Sequence, residues 1–186
     1  AGVIGAGRAA RAVSGTDGLP GFVTFDMGGT SSDVSLIRDG DAERTTDTTI
    51  DGIPIRAPMV DINTIGSGGG SIAWVDSGGA LRVGPRSAGA DPGPACYGNG
   101  GTEPTVTDAN VVLGYVGEST TLGGELSVDV AAAEAALEDL AAEAGLESAR
   151  AAARGVHRVA NAKMTRAIRG ITVERGFDPR AFGLVA

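Results

Sequence analysis

Apolar and polar positions alternate in short runs through the first half of the chain and recur at spacings of three and four through the second. Two apolar runs, residues 22–25 and 34–37, flank Asp26-Met27-Gly28-Gly29-Thr30-Ser31-Ser32-Asp33, which reads as strand, tight glycine turn, strand. Asp39-Gly40 is a hairpin turn signal. Strand-forming segments follow at 45–50, 53–55 and 60–65, with Pro54 and Pro58 pushing them toward edge or irregular extended structure. Residues 72–75 and 81–83 predict a second hairpin around Asp76-Ser77-Gly78-Gly79, and 84–104 a long ordered loop rich in proline and glycine.

Helical spacing then takes over. Thr107-Asp108 is expected to cap a short helix through Leu113, and residues 129–144 form an Ala/Glu/Leu helix closed by Gly145. The longest helix is predicted over 148–175. Val156, Val159, Ala160, Met164, Ala167, Ile168 and Ile171 make its apolar face, and Asp178-Pro179 breaks it. Leu184 and Val185 begin another strand. The N-terminal segment contains Gly5-Ala6-Gly7-Arg8-Ala9-Ala10, a G-x-G-x-x-A match to a dinucleotide fingerprint. A hairpin rather than a βαβ unit follows it, so it reads as an Ala-rich helix over 2–13. The pattern predicts an α/β fold in one 186-residue unit: helix and loop over 1–20, a strand-rich part over 21–106, and a mainly helical part over 107–186.

Composition narrows the function classes. A net charge of -8 argues against a nucleic-acid backbone and against an anionic membrane surface as partner. Lys163 is the single lysine, a bias that fits a high-GC or salt-adapted source. Cys96 is the only cysteine and His157 the only histidine, which removes an internal disulfide and a Cys/His zinc site. With no long apolar run and no signal peptide, the expectation is a soluble cytoplasmic protein. The chain opens without methionine in a helical pattern, which suggests an internal fragment.

The candidate chemistry lies in the glycine turns. Gly28 and Gly29 let successive amides point into one concavity suited to phosphate. Thr30, Ser31 and Ser32 add hydroxyl donors, and Asp26 is placed to hold a hydrated Mg²⁺. An ordinary glycine-rich hairpin is the alternative. Gly66-Ser67-Gly68-Gly69-Gly70-Ser71 is a second nest or a flexible turn. No G-x-x-x-x-G-K-[ST] sequence accompanies either cluster, which excludes a P-loop site within this chain. Asp61 is a candidate base or metal carboxylate, or a strand-end hydrogen-bond acceptor. Asp91 reads as a turn former and Cys96 as a buried inert thiol; Glu174 and Arg175 read as solvated or paired charges.

Five blocks in order resemble the hydantoinase/oxoprolinase A family. They are Phe25-Asp26-Met27-Gly28-Gly29-Thr30-Ser31-Ser32-Asp33-Val34-Ser35-Leu36; the segment from Val60-Asp61-Ile62 through Gly68-Gly69-Gly70 to Ala73; Ser87 through Asp91-Pro92-Gly93-Pro94-Ala95-Cys96-Tyr97-Gly98; Pro104-Thr105-Val106-Thr107-Asp108-Ala109-Asn110; and Val173-Glu174-Arg175-Gly176 with Asp178-Pro179-Arg180. Ser32 and Ser67 stand where threonine and alanine are usual.

The resemblance implies part of an actin-like ATPase (ribonuclease H-like) fold, a mixed sheet with an antiparallel phosphate-loop hairpin and packed helices. It implies ATP-dependent opening of a cyclic amide such as hydantoin or 5-oxoproline by phosphorylation of a carbonyl oxygen. Ketone carboxylation of the acetone carboxylase type and a non-catalytic nucleotide-responsive module are the alternatives. By that resemblance Asp26, Gly28, Gly29, Thr30 and Ser31 face the ATP phosphates and Mg²⁺ and a hydantoinase B-type subunit is the partner; taken with the residue reading, Ser32, Gly68, Gly69 and Gly70 join the cofactor-binding set, and Asp26 and Asp61 are the catalytic candidates. The family's first phosphate loop and adenosine-contacting glycine segment have no counterpart in these residues, so the isolated chain is expected to lack a complete nucleotide site.

Overall fold

The computed structural model describes residues 2–13, 18–46, 48–50, 53–117, 121–122 and 126–186. The predicted loop over 15–20 and the predicted strand over 45–50 fall partly outside these residues. The helices are α1 (Gly2–Arg11), α2 (Val106–Leu113), α3 (Val130–Ala144) and α4 (Ala149–Ile171). The strands are β1 (Gly21–Met27), β2 (Ser32–Arg38), β3 (Asp41–Ala42), β4 (Arg44–Thr45), β5 (Thr48–Ile50), β6 (Ile53–Ile55), β7 (Met59–Val60), β8 (Ile62–Ile65), β9 (Ser71–Val75), β10 (Leu81–Ser87), β11 (Thr121–Leu122), β12 (Leu126–Ser127) and β13 (Gly183–Val185). The chain divides into two compact units that are interleaved in sequence. The first comprises 1–26, 32–65 and 165–186, the second 27–31 and 66–164.

The first unit is built on a mixed five-stranded sheet of order β13-β1-β2-β3, with β8 also on β2. β13 runs parallel to β1, pairing Phe22 with Gly183 and Thr24 with Val185. β2 is antiparallel to β8 through Ser32–Ile65 and to β3 through Arg38–Asp41. The β2–β3 turn is the expected Asp39-Gly40, with φ of 50° and 95°, the two left-handed residues that a tight hairpin of this twist requires. The strand pleat sorts the core onto two faces. Val23, Val34 and Leu36 pack on Ala167 and Ile171 of α4, while Phe22 and Ile37 pack on Ala10 of α1. α1 is the helix that the Ala-rich pattern predicts, so the fingerprint-like glycines carry no βαβ geometry.

The second unit carries the β9–β10 hairpin, registered Val75–Leu81, Trp74–Arg82 and Ala73–Val83 as the sequence predicts. β10 runs four residues farther than predicted, past an irregularity between Val83 and Ser87, because Ser87 pairs back onto Ser71. Ala73 and Val83 pack against Val106 and Ala109 of α2, Leu137 and Leu140 of α3, and Ala152, Ala153 and Val156 of α4. Alanine dominates the α4 side, and small side chains let the helix come close to its neighbours.

Two helix boundaries differ from the sequence reading. The cap of α2 is Thr105, not Thr107-Asp108: Thr105 Oγ1 accepts from the Asp108 amide and the Asp108 carboxyl accepts from the Thr105 amide, a reciprocal capping box. α4 ends at Ile171 rather than 175. Thr172 leaves helical geometry at φ -118° and ψ -80°, its hydroxyl donates back to the Ile168 carbonyl at 2.7 Å, and a separate 3₁₀ turn spans Val173–Arg175.

Candidate functional site

The first glycine turn is held by backbone. Gly28 N–H donates to the Ser31 carbonyl at 2.9 Å and closes the turn. From outside, Gly69 N–H donates to the Gly28 carbonyl at 3.0 Å and Gly70 N–H to the Gly29 carbonyl at 2.6 Å. The second glycine segment is fixed in turn: Gly68 N–H donates to Ser71 Oγ at 2.8 Å, and both the amide and the hydroxyl of Thr107 donate to the Gly69 carbonyl, at 2.8 and 2.9 Å.

This close stacking explains why glycine stands at 68 and 70. A Cβ on residue 68 would lie 2.6 Å from the Gly28 carbonyl oxygen and 2.7 Å from the Gly29 carbonyl, and one on residue 70 would lie 3.0 Å from the Gly29 oxygen. The three amides of Gly68, Gly69 and Gly70 already have acceptors within the chain. The second segment therefore acts on the first by bracing it. It does not present a free nest of donors.

The first loop is different. Among the described residues, nothing accepts from the amides of Gly29, Thr30 or Ser31. Gly28, Gly29 and Thr30 are exposed and Ser31 is half-buried. A hypothetical Cβ on Gly29 meets open space. Three consecutive amides without an acceptor on a braced loop are groups that an anion could satisfy without costly rearrangement. Thr30 Oγ1 lies 3.3 Å from Ser87 Oγ, which also accepts from the Gly89 amide at 3.1 Å. Ser32, by contrast, is fully buried at the start of β2.

The carboxylates sort into separate environments. Asp26 ends β1 exposed, and with Asp33, Thr24, Ile62 and Val185 it lines a cavity of about 300 Å³ in the first unit. Thr64 Oγ1 donates to Asp33 at 2.7 Å. Asp61, between β7 and β8, is ion-paired with Arg175, a partner 114 residues away, and its amide donates to the Glu43 carbonyl at 2.9 Å. The sequence reading placed Arg175 among paired or solvated charges without identifying its partner. Among the described residues, no group of three His, Cys, Asp or Glu side chains gathers to hold a metal.

Asp108, expected from sequence only to cap α2 within the fourth family-like block, is the best-connected carboxyl in the second unit. Fully buried, it accepts from the amides of Ala95, Cys96 and Thr105 at 3.3, 2.8 and 2.8 Å and from Thr105 Oγ1 at 2.7 Å. It thereby ties the 3₁₀ turn Ala95–Tyr97 to the start of α2. Burial, aided by the neighbouring Asp108, pushes the Cys96 thiol far above its ordinary range, which leaves it unreactive. His157 lies against Tyr115 with ring centroids 5.2 Å apart and sits 3.2 Å from Asn161.

The hydantoinase/oxoprolinase family model matches residues 1–186. The caprolactamase subunit alpha of Pseudomonas jessenii is 45% identical over 168 residues, covering 90% of this chain and 24% of that protein. The crystal structure of the ATP-dependent caprolactamase from the same organism aligns with a TM-score of 0.83 at 44% identity, over 96% of this chain and 26% of that one. The acetophenone carboxylase gamma subunit of Aromatoleum aromaticum is 43% identical, covering 91% of this chain and 23% of its own length. A nucleotide-free acetone carboxylase structure aligns with a TM-score of 0.85 at 30% identity, over 98% of this chain and 25% of that chain. The chain thus spans about a quarter of the length of each of these four relatives. The mixed α/β architecture expected from the motifs, part of an actin-like ATPase fold, agrees with these structural likenesses. With the family model matched end to end, the chain belongs to the hydantoinase/oxoprolinase family.

Proposed function

We propose that this chain carries a phosphate-binding part of the ATP site in an ATP-dependent hydrolase of cyclic amides. The observation that supports this most directly is the Gly29-Thr30-Ser31 run of free amides, pinned from behind by Gly69 and Gly70. Relatives named as an ATP-dependent caprolactamase point to the same chemistry, since a lactam is a cyclic amide.

In this reading the Gly29, Thr30 and Ser31 amides, with the Thr30 and Ser31 hydroxyls, hold phosphate oxygens and stabilise charge that builds up during transfer. Gly68, Gly69 and Gly70 keep that loop in place. Asp26 contributes a carboxylate to Mg²⁺, which suits an ion that binds through one or two carboxylates, phosphates and water. ATP supplies the phosphoryl group that turns an unreactive amide carbonyl into one open to attack by water. Asp61 is the candidate base, held by Arg175. The protein works in the cytoplasm beside a hydantoinase B-type subunit.

The likeness to acetophenone and acetone carboxylase subunits favours a second reading, in which the same loop serves ATP-dependent carboxylation of a ketone. One experiment separates them. The full-length protein with its B-type partner is given ATP and either hydantoin, 5-oxoproline or caprolactam, or a ketone with bicarbonate. Phosphate release stimulated by a cyclic amide supports the hydrolase; stimulation that needs bicarbonate and ketone supports the carboxylase; stimulation by neither rejects both.

A further inference from the structure

Ser87 marks where the phosphate loop meets a second feature of the same unit. Its hydroxyl stands 3.3 Å from Thr30 Oγ1, and it also lines a cavity of about 540 Å³ that reaches away through Arg86, Asp91, Gly93, Gly101 and Glu103. We infer that this cavity is the binding subsite for the amide to be activated, a small ring that presents a ring carbonyl and a ring N–H.

The walls suit that chemistry. An amide needs one donor for its oxygen and one acceptor for its N–H. Arg86 and the Ser87 hydroxyl supply donors and the Asp91 carboxylate supplies an acceptor. Arg86 is braced against Glu103 at 2.7 Å, which limits the guanidinium's wandering at the rim. Among the described residues Asp91 has no hydrogen-bond or ion-pair partner, so its oxygens are free to meet a ligand.

The space is also kept open by design of the backbone. Gly93, at φ 75°, would place a Cβ 2.7 Å from the Tyr97 ring, and a Cβ on Gly101 would lie 2.2 Å from the Gly93 carbonyl oxygen. Only glycine lets these two strands of the loop approach and leave the cavity beside them. A five- to seven-membered ring occupies on the order of 100–150 Å³, so the cavity holds one such ring and ordered water, within the range of small-molecule sites. Ser87, in contact with Thr30, borders the cavity on the side of the phosphate loop, where the ring's oxygen is expected to point.

This inference rests on the phosphate-loop reading, and its test keeps the two apart. Asp91→Asn and Arg86→Gln, both at exposed positions, are made in the full-length protein with its B-type partner. ATP affinity is measured by calorimetry, and KM for caprolactam, hydantoin and 5-oxoproline by phosphate release. The expected result is a rise in KM for the responsive amide of about tenfold or more in each variant, with ATP affinity within about twofold of the parent. Unchanged KM in both variants, alongside a parent that responds to a cyclic amide, overturns the subsite and leaves the phosphate-loop reading standing. A parent that binds ATP and responds to no cyclic amide overturns both. Thr30→Ala serves as the contrasting variant: a loss of ATP affinity there, with amide KM raised only in the Asp91 and Arg86 variants, supports the subsite and the loop independently.

Discussion

The Gly70 amide donates to the Gly29 carbonyl at 2.6 Å, so two glycine segments 41 residues apart in sequence form one stacked pair of turns. The contact between the two segments is made by backbone groups alone. The shape of the candidate phosphate loop therefore depends on the absence of Cβ atoms on its neighbour.

Gly68→Ala tests that dependence. The new methyl would lie 2.6 Å from one carbonyl oxygen and 2.7 Å from a second carbonyl, both backbone, so the loop must move. Overpacking of this kind costs about 1–3 kcal/mol. Gly29→Ala meets open space and should change stability by no more than about 0.5–1 kcal/mol. Urea midpoints of the two variants check the difference. In the full-length protein Gly68→Ala should also weaken ATP binding by about tenfold or more.

Asp108→Ala should be among the most damaging single changes in the second unit. It leaves three buried amides and the Thr105 hydroxyl without their acceptor, and each orphaned buried donor costs about 1–3 kcal/mol. The expected loss is about 3 kcal/mol or more, with residues 94–97 and the start of α2 losing amide protection together. Hydrogen exchange followed by mass spectrometry reads this directly.

Cys96 should be silent toward thiol reagents while the protein is folded. It is fully buried, and burial holds the thiol far above its ordinary range. Modification by a disulfide reagent at neutral pH should be at least ~100-fold slower than in denaturant. A fast native reaction would mean the Ala95–Tyr97 turn opens on its own.

Local signals carried most of the elements. The Asp39-Gly40 turn, the β9–β10 hairpin, α1 and α3 follow from turn chemistry and periodicity within a few residues. The cap of α2 is legible too: Thr105 three residues before Asp108 satisfies a capping box with aspartate in place of glutamate, and the adjacent Thr107-Asp108 pair mimics a second cap signal. What stayed hidden was pairing at a distance. That Gly68, Gly69 and Gly70 spend their amides on the first loop, that Asp61 meets Arg175, and that Asp108 gathers the 94–105 segment are facts of tertiary packing. Glycine clusters look alike in sequence whether their amides are free or used. Likewise the predicted end of the long helix at 175 overruns the observed end at Ile171, after which Thr172 leaves helical geometry with its hydroxyl bonded back to the Ile168 carbonyl.

The β9–β10 turn should weaken in acid. The amides of Ala80 and Gly78 and the Arg82 guanidinium hold the Asp76 carboxyl below its ordinary value of 3.8. A carboxyl depressed by folding adds stability that is present above its unfolded value and is lost as pH falls through the folded one. Asp76→Asn should therefore lower the urea midpoint at neutral pH, and the gap from the parent should close as pH drops below 3.8. A gap that stayed constant into acid would show that the turn does not depend on the charge.

Asp61 carries the sharpest question, because its ion pair with Arg175 admits a brace or a base. The pair is partly open to solvent, with the Asp61 side chain 20% and the Arg175 side chain 38% exposed, so its contribution to stability is expected at only about 0.5–1 kcal/mol. A double-mutant cycle of Asp61→Asn and Arg175→Met on the urea midpoint measures it. Activity of the full-length protein with its partner then decides the role. A base removes a proton itself, so Asp61→Asn should cut kcat by about a hundredfold or more with ATP affinity unchanged, while Arg175→Met costs much less because the carboxylate remains. A brace behaves otherwise: both substitutions lower activity to a similar small extent, in step with the stability they remove. The second outcome would make Asp61 a strand-end anchor that fixes the Val173–Arg175 turn to the β7–β8 connection, and the base would have to be sought elsewhere.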